Sequence, residues 1–187
     1  MDIQFFQDCA RLGVERARDT VSALTGMECV VDLENAYFTE VEEIPLLTGY
    51  PDEIVLSSWV SFTGQMEGQI IILFRPDSAE SVVRSMVPQF IEDVESENEP
   101  EIIESIVSEI ANIIGCSVLG AIADKSEMVL RPSPPLLIRE MAGAILETAV
   151  ATSYLYNDKV FASDVRFCFT ESDAFFEIVL LPRKGTG

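Results

Sequence analysis

The chain has 187 residues with 12 basic and 32 acidic side chains, no histidine, and 48% hydrophobic content. That content suffices for a core in one domain or in two small fused ones, while a formal charge of −20 repels phosphate backbones and anionic headgroups and argues against nucleic-acid and membrane-surface roles. With no histidine, no CxxC pair, and Cys9, Cys29, Cys116 and Cys168 scattered, neither a zinc site nor a Cys–His nucleophile can be assembled, and no metal is expected.

The thiols read as buried groups in a reducing compartment. The N-terminal MDIQFFQDCARLG lacks a basic region followed by an apolar run, which a signal peptide would show. Apolar runs such as IIILF (70–74) are far short of the roughly 20 residues a spanning helix needs. A cytoplasmic location is expected.

In chain order, residues 3–25 space their apolar positions helically (Phe6, Ala10, Leu12, Val14, Ala17, Val21, Leu24), and Gly26 can close that helix. Residues 27–38 contain the β-rich ECVVDL and predict a strand, and 42–53 hold turn formers around a short apolar knot. Ile54–Phe62 and Gly68–Phe74, joined by TGQME, predict an antiparallel hairpin. Pro76-Asp77-Ser78 opens a second, shorter helix through Ile91, and the acidic run EDVESENEPE (92–101) reads as a linker.

A long helix over Glu99–Asp124 follows, then a short strand at 128–130 cut off by Pro132, Pro134 and Pro135. LLIREMAGAILETAVATSYL (136–155) has helical periodicity. Val160–Phe169 and Ala174–Leu181 predict a final hairpin around TESD, and the tail RKGTG reads as frayed. Trp59, on a strand, reads as core.

The two halves therefore follow one plan: long helix, strand, connecting element, hairpin. The expected architecture is α+β: a single domain over 1–187, internally duplicated with pseudo-repeats at about 1–92 and 99–187, antiparallel or mixed strands, and helices on the sheet. Two independent small domains are the alternative.

On the second long helix, Pro100 near the first turn and Glu99, Glu101 and Glu104 suit a helix start. Ile102, Ile103, Ile106, Val107, Ile110, Ile113, Ile114 and Val118 mark its buried stripe, each worth about 1.5–3 kcal/mol when buried. Opposite lie Ser105, Glu109, Asn112 and Cys116 at i, i+4, i+7 and i+11, one line on an exposed face. Ser108, Ala111 and Gly115 beside them are small, which would admit another protein's surface. Asn is a poor helix former and Gly costs about 1 kcal/mol against Ala, so both require a reason.

The spacing Ser105-x3-Glu109-x2-Asn112, with Pro135 after 22 intervening residues, resembles the signature of the CheC/CheX/FliY family of chemotaxis phosphatases, CheC above all. EIANIIGCSVLGAIAD and RPSPPLLIREMAGAILE resemble the second motif region of CheC, and RLGVERARDTVSAL and GQIIILFRPDSAE resemble its first half, so the likeness spans the chain.

The resemblance implies a phosphatase acting on the aspartyl phosphate of a CheY-like receiver domain, with Glu109 and Asn112 catalytic and Ser105 and Pro135 supporting the motif. Glu109 would contact the receiver's lysine; Asn112 would reach the phosphoryl group and orient the attacking water. No cofactor of its own is implied, with Mg2+ on the receiver partner, and CheD, the receptor deamidase, is a further partner. A non-catalytic module binding the phosphorylated receiver or CheD is the alternative.

The chemistry suits the residue types. Phosphoryl transfer asks mainly for positioning and charge stabilisation. A carboxamide accepts from water, donates to phosphate oxygen, and does not titrate.

A similar pair on the first helix would fall at Asp8 and Arg11 by the resemblance. Arg11 has donors and no acceptor, so it cannot orient a water as Asn does. That second site is expected to be degenerate, and Glu34 in place of Pro at the matching later spacing agrees.

Overall fold

The structure is a computed structural model that describes residues 2–25, 28–46, 48–86, 99–152, 159–169 and 172–183. Its elements in chain order are α1 (Ile3–Thr25), β1 (Cys29–Glu40), a 3-10 turn (Val41–Leu46), β2 (Ile54–Gly64), β3 (Glu67–Phe74) and α2 (Pro76–Met86). Then come α3 (Glu99–Ser126), β4 (Leu130–Pro132), β5 (Leu136–Met141), α4 (Ala142–Ala151), β6 (Lys159–Phe169) and β7 (Ser172–Arg183). The expected extension of α2 through Ile91, most of the acidic linker, the tip of the last hairpin and the tail beyond Arg183 lie outside the described residues, as does the side chain of Glu34. Arg183 itself, expected as part of a frayed tail, pairs with Glu67 as the last residue of β7.

All seven strands share one antiparallel sheet in the order β1-β6-β7-β3-β2-β4, with β5 also on β2. The central strands β3 and β7 are buried on both faces, which explains why IIILF and FFEIVLL show little polar alternation. Ile70, Ile72, Phe74, Phe176, Ile178 and Leu180 face a core shared with α1, α2 and α3. Ile71, Leu73, Val179 and Leu181 face a second cluster with Ile44, Tyr50 and α4 on the opposite side. Trp59 packs at the margin of that second cluster and donates from its indole N–H to Ser57 Oγ at 3.1 Å.

α1 and α3 pack against each other. Cys9 Sγ meets the Ala121 carbonyl, and Gly13 meets Val118. A Cβ on Gly13 would stand 2.5 Å from Val118 Cα, so glycine sets how closely the helices approach. Arg16–Asp124 at 2.8 Å and Lys125–Asp8 at 3.0 Å add ion pairs at the surface of this seam.

Two expectations are corrected. Leu136–Met141 is a strand: β5 pairs with β2 from Ile54↔Met141 to Trp59↔Leu136, and the helix begins only at Ala142. The pair Pro134-Pro135 delivers this segment extended to a free sheet edge, and ladder pairing overrides the local helical period. The preceding strand is shifted to Leu130–Pro132, where Pro132 is tolerated on a short edge strand.

α3 from Glu101 to Ser126 is long and apolar enough, by length and composition, to cross a membrane, which runs against the sequence expectation of no such segment. Half of its apolar window is buried inside the protein, where Val107, Ile110, Ile114, Val118 and Ile122 join the main core.

Candidate functional site on the second long helix

α3 is held on one side by its apolar residues, and the opposite line is what it offers to solvent. Val107, Ile110, Ala111, Ile114 and Val118 are buried, while Ser105 and Glu109 are exposed and Asn112 and Cys116 half-buried. At about 1.5–3 kcal/mol for each fully buried aliphatic side chain, the stripe fixes the helix and with it the polar line.

The small residues beside the line do a different job from the expected one. Ala111 is fully buried, and Gly115 turns its missing Cβ toward Val60, Ile70 and Ile72 of β2 and β3 at 3.6–3.8 Å. They let α3 approach its own sheet; they do not open the face to a partner.

Within the line, the Cys116 thiol donates to Asn112 Oδ1 across 3.4 Å, one helical turn apart. Burial, and secondarily the Glu109 carboxylate, raise the Cys116 thiol above its ordinary pKa. It therefore remains a neutral donor near pH 7. The Glu109 carboxylate makes no hydrogen bond or ion pair among the described residues and stands exposed one turn before Asn112. Pro135 lies half-buried in the connection from β4 to β5. That connection is tied to β2 where Ser133 N donates to the Ser61 carbonyl at 2.7 Å and Ser61 N donates to Ser133 Oγ at 3.1 Å.

The first-helix pair sits elsewhere. Asp8 accepts from Lys125 Nζ at 3.0 Å and from Gln4 Nε2 at 2.9 Å, and these bonds, Lys125 first, lower its carboxyl pKa. A lysine of this chain therefore already occupies the Asp8 carboxylate. Arg11 is exposed. Lys125 lies 13 positions beyond Asn112, about 20 Å along the helix at ~1.5 Å per residue, so the two motif pairs are not brought together.

Residues 56–157, just over half of the chain, match the family described as chemotaxis phosphatase CheX. The chain belongs to the CheX family. The CheY-P phosphatase CheC of Bacillus subtilis (strain 168) is 25% identical over 148 residues, 78% of this chain and 69% of that protein. The crystal structure of Thermotoga maritima FliY superposes with a TM-score of 0.71 at 14% identity, covering 96% of this chain and 89% of that one. The CheX–CheY–BeF3–Mg2+ complex from Borrelia burgdorferi gives a CheX chain similar at TM-score 0.53 and 20% identity, covering 97% of each. At these identities the two structures establish the α+β fold.

For this member of the CheX family, two contacts of α3 were not anticipated from the sequence: the Cys116–Asn112 hydrogen bond and the Lys125–Asp8 ion pair. The i+4 spacing of Cys116 from Asn112 was the signal for the first. The second joins residues 117 positions apart and has no local signature. Cys9 is buried in the α1–α3 seam, and desolvation raises its pKa to about 11, so it serves as packing. Among the described residues no cluster of three or more Cys, Asp or Glu is arranged to hold a metal ion.

Proposed function

We propose that this chain hydrolyses the aspartyl phosphate of a CheY-like receiver domain, with Glu109 binding the receiver's lysine and Asn112 orienting the attacking water. The observation that carries the reading is the exposed Glu109 one turn from Asn112 on a helix whose other face is locked into the core. Membership of the CheX family supplies the reaction class.

The roles follow from the groups. Glu109 is an acceptor-only anion free to take a charge-assisted hydrogen bond from a cation on another protein. Asn112 presents an acceptor and two donors within one planar group, so one end can hold a water while the other meets a phosphoryl oxygen. It adds no negative charge beside the phosphate. A carboxylate there would repel the group it must approach. The Mg2+ this chemistry uses belongs to the receiver in this reading, and its location is the cytoplasm. CheD remains a proposed further partner.

The test is a single-turnover assay with a CheY-type receiver charged by acetyl phosphate. Asn112→Ala is expected to slow phosphate release by tenfold or more, about 1.4 kcal/mol in the barrier, with an unchanged circular-dichroism spectrum. Turnover equal to the parent chain would refute the role of Asn112.

A second reading, a non-catalytic module that binds the phosphorylated receiver or CheD, draws on the first helix. There Asp8 is occupied by Lys125 and Arg11 offers no acceptor. Receiver binding by the parent chain with no acceleration of phosphate release would select it.

A further inference from the structure

We infer that Cys116 is a positioning residue for Asn112, its thiol selecting which end of the carboxamide faces the attacking water. The inference rests on the phosphatase reading above and assigns a role within that same site.

Helical side chains lean toward the N-terminus, so Cys116 reaches back over the turn that holds Asn112. The observed contact is Sγ to Oδ1 at 3.4 Å. A carboxamide rotated by 180° about its last bond would set Nδ2 hydrogens against the thiol hydrogen, and sulfur is only a weak acceptor. The bond to Oδ1 therefore favours one rotation over the other.

That preference matters because the two ends of the group have opposite functions. Oδ1 has two lone pairs; the thiol takes one, leaving the other to accept a hydrogen from water, and both Nδ2 hydrogens stay free to donate. An amide fixed in this sense needs no rearrangement when receiver and water arrive, and such preorganisation is the main contribution a protein makes to phosphoryl transfer. The thiol's partial burial keeps it protonated, hence a donor.

The test uses the full chain and its variants Cys116→Ala, Cys116→Ser, Asn112→Ala and the Cys116→Ala/Asn112→Ala double variant. Readouts are dephosphorylation of an acetyl-phosphate-charged CheY-type receiver and the Asn112 side-chain NH2 signals in 15N-edited NMR of the unbound protein. Cys116→Ala is expected to lower kcat about fivefold, the factor a modest neutral hydrogen bond supports, with KM for the receiver and the thermal midpoint held. Cys116→Ser should restore kcat, and Cys116→Ala should add nothing in the Asn112→Ala background. In NMR, Cys116→Ala should move the Asn112 side-chain amide shifts toward those of a solvent-exposed, freely rotating asparagine, and Cys116→Ser should reverse that move.

A Cys116→Ala chain with parental kcat and unchanged Asn112 signals overturns the inference while leaving the phosphatase reading standing. A parent chain without phosphatase activity removes that reading. The NMR comparison then still decides the orientation: unchanged Asn112 signals overturn it, and their displacement with rescue by serine supports it.

Discussion

Glu177 shows how much a single side chain depends on its surroundings. It sits on β7 across from Asp164 of β6, accepts from the Tyr50 hydroxyl, and has one carboxylate oxygen buried with no hydrogen-bond partner. Arg75 lies 3.7 Å over the Tyr50 ring. Burial is the largest influence and raises the Glu177 pKa, with the Asp164 charge acting the same way against the lowering effects of Tyr50 and Arg75. As pH rises from about 4.5, the unfolded chain releases this proton before the folded one does, so stability falls through the window up to the folded pKa. Glu177→Gln removes the charge and keeps an acceptor for Tyr50. Its thermal midpoint should exceed that of the parent at pH 7.5, with the advantage shrinking toward pH 4.5; a larger advantage in acid would contradict this account. At the same scale, spacing in the sequence marked Glu109 and Asn112 as neighbours on one face, because helical geometry fixes which residues share a line. It could not mark Asp8–Lys125 or the Glu177 cluster, which depend on contacts between distant segments.

Helix ends and strand edges show where local and tertiary forces diverge. α3 runs past its expected stop at Asp124 to Ser126 and closes with Glu127 at φ 55°. Met128 N donates to the Ala123 carbonyl at 3.0 Å, the longer bond of a Schellman closure. This left-handed position favours glycine, because a Cβ there crowds the following carbonyl. Glu127→Gly should therefore stabilise the fold by about 1 kcal/mol, raising the thermal midpoint by roughly 2–4 °C for a chain of this size. A lower midpoint in a calorimetric scan would show that the Glu127 side chain contributes more than its backbone costs. The two hairpins were legible because β formers flank turn residues in both. β5 was not: LLIREM is short, with neither clean alternation nor bounding glycines, and only the free edge of β2 decides its conformation. The small residues of α3 were equally ambiguous, since the sequence cannot say whether Ala111 and Gly115 admit a partner or the helix's own sheet.

The strand order has a symmetry that spans the whole molecule. The β2/β3 hairpin of the first half and the β6/β7 hairpin of the second meet through β3 and β7. The outer strands are exchanged: β1 of the first half pairs with β6, and β4 and β5 of the second half pair with β2. We infer that residues 1–92 and 99–187 are duplicated units merged into one domain. Neither half holds its own outer strand, α1 packs on α3 across the halves, and the main core draws on both. A separated half would expose the long apolar edge of β3 or β7 and lose most of the surface its helix covers. Expressed apart, 1–92 and 99–187 should each lack cooperative unfolding. Mixed in equal amounts, they should recover a cooperative thermal transition and the far-ultraviolet spectrum of the intact chain. Cooperative unfolding of either half alone would instead make this two independent small domains, and the working face of α3 would then have to be rigid without the seam that α1 provides.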